Sequence, residues 1–231
     1  MPEMAPLRPV TRPRLYEQVA QQVLDWVREN GLQVGDRLPP ERELATRLGV
    51  SRATVSQALV AMEVVGVVAV RHGDGAVLVD APGTSKVVDA LRQHARQLPD
   101  IIEAREALES KLAALAAVRR TDEDLARIDA ALEVMDTDIA AGGRGVEGDE
   151  LFHAAVTAAG HSALLQRLMG EISELVKETR IESLSQPERP RESLDGHRRI
   201  AAAIRDRDAA AATEAMRDHV ERVSDVALLR D

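Results

Sequence analysis

Gly35-Asp36-Arg37-Leu38-Pro39-Pro40-Glu41-Arg42-Glu43-Leu44-Ala45, followed by Val50-Ser51-Arg52-Ala53-Thr54-Val55-Ser56-Gln57, is the stretch that decides the fold. Pro39 fixes the chain ahead of a short helix whose inner face is Leu44, Ala45 and Leu48, and Gly49 ends that helix. Ser51 has the chemistry of an N-cap for a second helix running from Arg52 to Glu63. Two short helices joined by a turn of about four residues make a helix-turn-helix. Upstream, the apolar spacing predicts a helix over Leu15–Asn30, stopped by Gly31. Downstream of Gly66, the β-rich runs Val67–Val70 and Ala76–Val79 flank Arg71–Gly75 and predict a hairpin, or wing. Met62, Val64 and Val65 read as core.

Working outward, the charge divides near residue 80. The first 80 residues hold nine arginines, no lysine and ten acidic residues, whereas the remainder carries a net charge of −8 within the total of −9. Asp80–Lys86 is rich in Pro, Gly and small polar residues, as linkers are. The expected organisation is a flexible tail over 1–11, a winged domain over 12–80, a linker over 81–86 and a helical domain over 87–231. With 45% hydrophobic and 30% charged residues, the 231-residue chain has the balance of a globular protein. It has no cysteine, which removes disulfide scaffolds, thiolate metal sites and cysteine nucleophiles. One Trp, one Tyr and one Phe leave Ala, Leu, Val and Ile to build the core, a composition that favours close-packed helices. Neither a membrane span nor a signal-peptide segment is legible, so a cytoplasmic location is expected.

The C-terminal part reads as an antiparallel all-α bundle. Expected helices are Val87–Gln97, stopping before Pro99, then Ile101–Arg119, Asp122–Ala140 capped by Thr121, Asp149–Ala159, a long Ser162–Leu184, Glu192–Arg205 and Asp208–Leu229. Asp149 and His153 share one helical face at i and i+4, with His197 and His219 on two later helices. One carboxylate and three imidazoles form a set suited to zinc, nickel or manganese rather than calcium. Spacing alone leaves other readings open: a surface Asp–His pair, and histidines that are merely exposed or packed. His94 has no motif around it and reads as exposed.

The N-terminal stretch resembles the GntR family of bacterial transcription regulators, whose motif joins Gly-Asp-x-Leu-Pro-x-Glu-Arg-x-Leu-Ala, Val-Ser-Arg and a glycine-rich wing. The resemblance implies DNA contacts from Arg42, Arg52 and the wing at His72 and Gly73. An arginine in the first turn of a recognition helix can fork onto guanine, while Ser51, Thr54 and the first-turn amides suit phosphates. Ser56-Gln57 departs from the Arg-Glu common in the family after the Thr-Val pair, which puts an adenine-reading Gln57 in place of an expected arginine contact.

Further along, Ile102-Glu-Ala-Arg105-Glu-Ala-Leu-Glu109, Asp149-Glu-Leu-Phe-His153, Gly196-His197-Arg-Arg-Ile200 and Met216-Arg-Asp-His219 resemble the FCD effector domain of the FadR subfamily. In its metal-binding branch the four ligands fall on Asp149, His153, His197 and His219, implying a divalent ion, zinc first and nickel or manganese next. Arg105 and Arg180 are the candidate cations for a small carboxylate effector, with an intrahelical Arg105–Glu109 pair as the alternative. His161 stands beside this motif as a helper of the site or a polar group at a helix start. The implied protein is a homodimeric regulator of a palindromic operator, expected to repress and not an enzyme. Two alternatives stand beside it: the same regulator with a purely structural metal, and a metal-dependent hydrolase.

Overall fold

The computed structural model describes residues 14–71, 75–80, 83–186 and 188–224. The tail over 1–11 and the wing-tip residues His72 and Gly73 lie outside the described residues. The chain is mainly helical, as the sequence predicts. α1 (Leu15–Glu29), α2 (Glu41–Leu48) and α3 (Arg52–Val64) precede a hairpin of β1 (Val68–Arg71) and β2 (Gly75–Leu78). Gly49 ends α2 in the left-handed conformation at φ 66°, where its N–H donates to the Ala45 carbonyl. Ser51 then starts α3, its hydroxyl accepting from the Thr54 N–H at 3.1 Å. The strands pair antiparallel, with Val68 opposite Leu78 and Arg71 opposite Gly75. The residues before Pro39 also join this hairpin: Gly35 N–H donates to the Leu78 carbonyl at 2.8 Å and Leu38 N–H to that of Ala76 at 2.9 Å. The Gly-Asp-x-Leu-Pro segment is therefore the third edge of the wing as well as a helix start. One apolar core, including Val19, Val23, Val55, Leu59, Met62 and Leu78, lies beneath all of these elements.

The rest of the chain is α4 (Thr84–Arg119), α5 (Asp122–Ala140), α6 (Val146–Ala159), α7 (Ala163–Glu171), α8 (Ser173–Leu184), α9 (Arg189–Arg205) and α10 (Ala209–Ser224). Three expected boundaries need correction. α4 does not stop before Pro99 but runs through it and starts at Thr84, inside the segment read as linker. Proline removes one helical donor, yet both flanks are anchored. Val87, Leu91 and Leu98 pack into the N-terminal core, and Ala113, Ala116 and Ala117 pack into a second core with Phe152, Ile200 and Met216. At 1.5 Å per residue, this 36-residue rod is about 54 Å long and belongs to both halves. The expected long helix over 162–184 is two helices, broken at Ile172. There Gly170 weakens the helix, and the Ser173 hydroxyl binds its carbonyl at 2.8 Å. α6 begins at Val146 rather than Asp149, behind Gly145 at φ 72°. As expected, Thr121 caps α5; it forms a reciprocal pair with Asp124.

Among the described residues, no helix is long and apolar enough to cross a membrane. In the bundle, α4 packs along α10 and α6, α5 against α6 and α9, and α9 against α10. Alanines supply much of this second core, which lets the helices approach closely. Gly148 shows how closely: a β-carbon there would lie 2.4 Å from the Met135 backbone of α5.

Candidate metal centre and nucleic-acid interface

α6 supplies Asp149 and His153, α9 supplies His197 and α10 supplies His219. One ligand atom from each lies within 4.8 Å of all the others, and all four residues are buried. His197 Nε2 is 3.2 Å from His153 Nε2 and 3.3 Å from His219 Nε2. Asp149 Oδ1 is 3.5 Å from His197 Nε2. Two nitrogens each about 2.0–2.1 Å from one ion are about 2.9–3.4 Å apart at octahedral or tetrahedral angles, so this spacing fits a shared ion. Protonation fits too. Burial pushes His197 down to about 3, and burial and the neighbouring imidazoles hold His219 well below its ordinary value. His153 is lowered as well, by burial and then Arg180. Neutral imidazoles thus converge beside a carboxylate. Burial opposes ionisation of Asp149, but the surrounding His153, His197, Arg180 and Arg105 outweigh it and lower its pKa. Such a donor set can hold a divalent cation.

A ring of charges surrounds the four. Glu109 of α4 accepts from Arg105 Nε at 3.0 Å and lies 2.8 Å from His153 Nδ1 and 3.4 Å from Arg180 Nη2. Burial opposes its ionisation, but Arg105, His153 and Arg180 pull its pKa well below the carboxylate range. Arg180 Nε sits 3.2 Å from Asp149 Oδ2. Arg105 also donates to the Thr179 hydroxyl at 3.0 Å. The two arginines differ in access: Arg105 is fully buried, whereas Arg180 and His153 line a cavity of 480 Å³ with Lys177, Met169 and Val176. The Arg105–Glu109 pair anticipated in the sequence therefore exists, and it does more than join neighbours on a helix, because Glu109 also lies against His153.

Sequence reasoning missed several supporting residues. Ser193, one turn before His197, donates to Asp149 Oδ1 at 3.3 Å. Phe152 stacks on His197 with centroids 4.1 Å apart. Gly196 makes room for His219, since a β-carbon there would stand 2.9 Å from Nδ1. A glycine inside a helix next to a candidate ligand is the signal that was legible. His94 is a correction: it is 5% exposed rather than on the surface. Its Nδ1 lies 2.8 Å from Glu178 and its Nε2 3.5 Å from Glu182, partners on α8 that no local motif announces. His161 binds Asp124, in the first turn of α5, at 2.7 Å.

On the other half, Arg42, Ser51, Arg52 and Gln57 are exposed on α2, on α3 and at the α3 N-cap, while Thr54 and Ser56 are half-buried. Among the described residues, Arg52 has a long contact to Glu41, at 3.9 Å. Residues 15–78 match the model of bacterial regulatory proteins of the gntR family, and residues 100–222 match the FCD domain. The chain belongs to the GntR family, in the group that carries an FCD domain. It is 32% identical over 219 residues to the Uxu operon transcriptional regulator of Escherichia coli (strain K12), covering 91% of this chain and 85% of that one. It is also 32% identical over 208 residues to the HTH-type transcriptional regulator LutR of Bacillus subtilis (strain 168), covering 87% and 95%. A solved Streptococcus agalactiae GntR structure aligns over 90% of this chain and 98% of its own, with 28% identity and a TM-score of 0.48. This GntR–FCD protein is a DNA-binding transcription regulator, and the hydrolase alternative falls with that assignment.

Proposed function

We propose that this regulator is a homodimeric repressor, acting in the cytoplasm on a palindromic operator, and that a small carboxylate bound at the buried centre of each subunit lowers its DNA affinity. The observation that carries this reading is the charge balance of the centre. Arg105 and Arg180 match Glu109 and Asp149, and the three imidazoles are neutral. Adding a divalent ion to that balanced set leaves a buried charge of about +2, which in a low-dielectric interior calls for an anion. The cavity that reaches both His153 and Arg180 gives such an anion a route. Asp149, His153, His197 and His219 would hold the ion, zinc first and nickel or manganese next, and the ion would supply a Lewis-acidic positive charge for a carboxylate. Arg180 adds a charge-assisted hydrogen bond, and Arg105 fixes the geometry from behind.

On the DNA side, Arg52 reads base edges from the first turn of α3. Arg42, Ser51, Thr54 and Ser56 serve the backbone, Gln57 reads a neighbouring base, and His72 and Gly73 form the wing contact. One such module offers few contacts, so two copies on a palindrome supply useful affinity. The test is elemental analysis of the purified protein, followed by titration of a DNA duplex selected from a random library against a panel of short hydroxy- and keto-acids. One ion per chain and release of the duplex by at least one acid are expected. Protein that carries no metal and takes none up overturns the metal site. Bound metal without any acid response makes the ion structural.

A further inference from the structure

Arg144 stands in the Gly142–Gly145 turn between α5 and α6, and its guanidinium reaches across to the DNA-binding half. Nη1 donates to Glu63 Oε2 at 2.8 Å and Nη2 to Glu63 Oε1 at 2.9 Å, a bidentate pair at the end of α3. Glu63 Oε1 also accepts from the Val70 N–H of the wing at 3.0 Å. Nη1 further donates to Ser185, just past the end of α8, at 2.6 Å. Both charged side chains are largely withdrawn from water, at 26% and 12% exposure, so solvent screens the pair less than an exposed one.

The turn is built to hold this arginine in place. Gly145 N–H donates to Asp138 Oδ2 at 2.7 Å, and a β-carbon on Gly143 would lie 2.3 Å from the same carboxylate. Arg144 also sits between both arms of the buried centre, five residues before Asp149 on one side and bonded to Ser185, five residues after Arg180, on the other. Alongside it, a cleft of 750 Å³ separates the two halves, with Arg52, Val70 and Gly75 on one wall and Asp138, Arg144 and Glu147 on the other. Arg52 shares this cleft with Asp138 and Glu147, so phosphates brought to Arg52 from that side would approach two carboxylates.

We infer that Arg144 is an autoinhibitory latch: its pair with Glu63 holds the recognition helix and wing against the acidic α5–α6 turn, in an arrangement closed to DNA. The inference rests on the effector-controlled reading above, in which the ligand-bound centre favours this closed state through α6 and α8.

The experiment compares full-length parent, Arg144→Ala, Arg144→Lys and the charge-swapped pair Glu63→Arg with Arg144→Glu, using fluorescence anisotropy at fixed salt with a duplex selected by the parent. Arg144→Ala should bind roughly 5- to 100-fold more tightly without added ligand, within the usual range of allosteric coupling. Arg144→Lys should fall between, and the swapped pair should return towards the parent. Because the chain has no cysteine, spin labels at Val34→Cys and Asp122→Cys, diluted with unlabelled protein, report the distance between the halves. It should be narrow in the parent and broad in Arg144→Ala. Equal or weaker binding by folded Arg144→Ala, with an unchanged distance, overturns the latch while leaving the parent's own DNA binding and acid response intact. A parent that selects no duplex overturns the regulatory reading and the latch together.

Discussion

In the N-terminal module, Arg42, Ser51, Arg52 and Gln57 lie exposed above an apolar core, whereas in the bundle Arg105, Glu109, Asp149, His153, His197 and His219 are themselves buried. On the proposed reading, the contrast follows from what each half meets. A polymer is read by side chains that stand in water until contact, and their removal costs the fold little. A small charged ligand is read by groups already stripped of water, whose mutual pairing must be complete before it arrives. The same amino-acid chemistry is therefore cheap to alter on one half and costly on the other.

The largest effect that sharpens this contrast belongs to Glu109. Glu109→Ala removes the carboxylate partner of Arg105, leaves Arg180 with Asp149 alone, and should cost about 3–5 kcal/mol of stability, read by denaturant unfolding. A cost below about 1 kcal/mol would mean that the buried charges are not mutually dependent. Next is His94, where burial pushes the imidazole down but Glu178 and Glu182 outweigh it and raise its pKa to about 9. A pKa raised from the ordinary 6.5 contributes stability that is full below pH 6.5 and is lost as pH rises through about 9. The contribution is on the order of 3 kcal/mol. His94→Gln should flatten the stability profile across that window. An unchanged slope would place the titration elsewhere.

On the exposed half the effects are smaller, and at Arg52 the effect falls on binding rather than folding. Arg52→Ala should leave the melting temperature unchanged and weaken a selected duplex by about 1–3 kcal/mol, with relaxed preference at one base. Equal affinity in a gel-shift titration would remove Arg52 from base reading. Ser51→Ala, which loses the cap to Thr54, should cost about 1 kcal/mol of stability in thermal melts.

Local features were legible in the sequence because their causes are local. Gly49, Ser51 and Thr121 mark helix ends through backbone geometry and capping, and each does so in the structure. The four candidate ligands were legible through their motifs, and they converge. What was not legible depends on distant partners. Pro99 looked like a stop, yet packing on both sides carries α4 through it. His94 looked exposed, yet its carboxylates arrive from α8, more than 80 residues away in the chain. Glu109 was legible as the partner of Arg105 at i+4, but its contact with His153 needs α4 and α6 side by side.

The central claim is that the buried centre governs the exposed DNA surface. Its most direct test is the affinity of one selected duplex for parent and Asp149→Ala protein, measured by anisotropy with and without the acid that releases the parent. Both proteins should bind the duplex with similar affinity in the absence of acid, and only the parent should release it. Release of the Asp149→Ala protein at the same acid concentration, with its metal gone, would contradict the account.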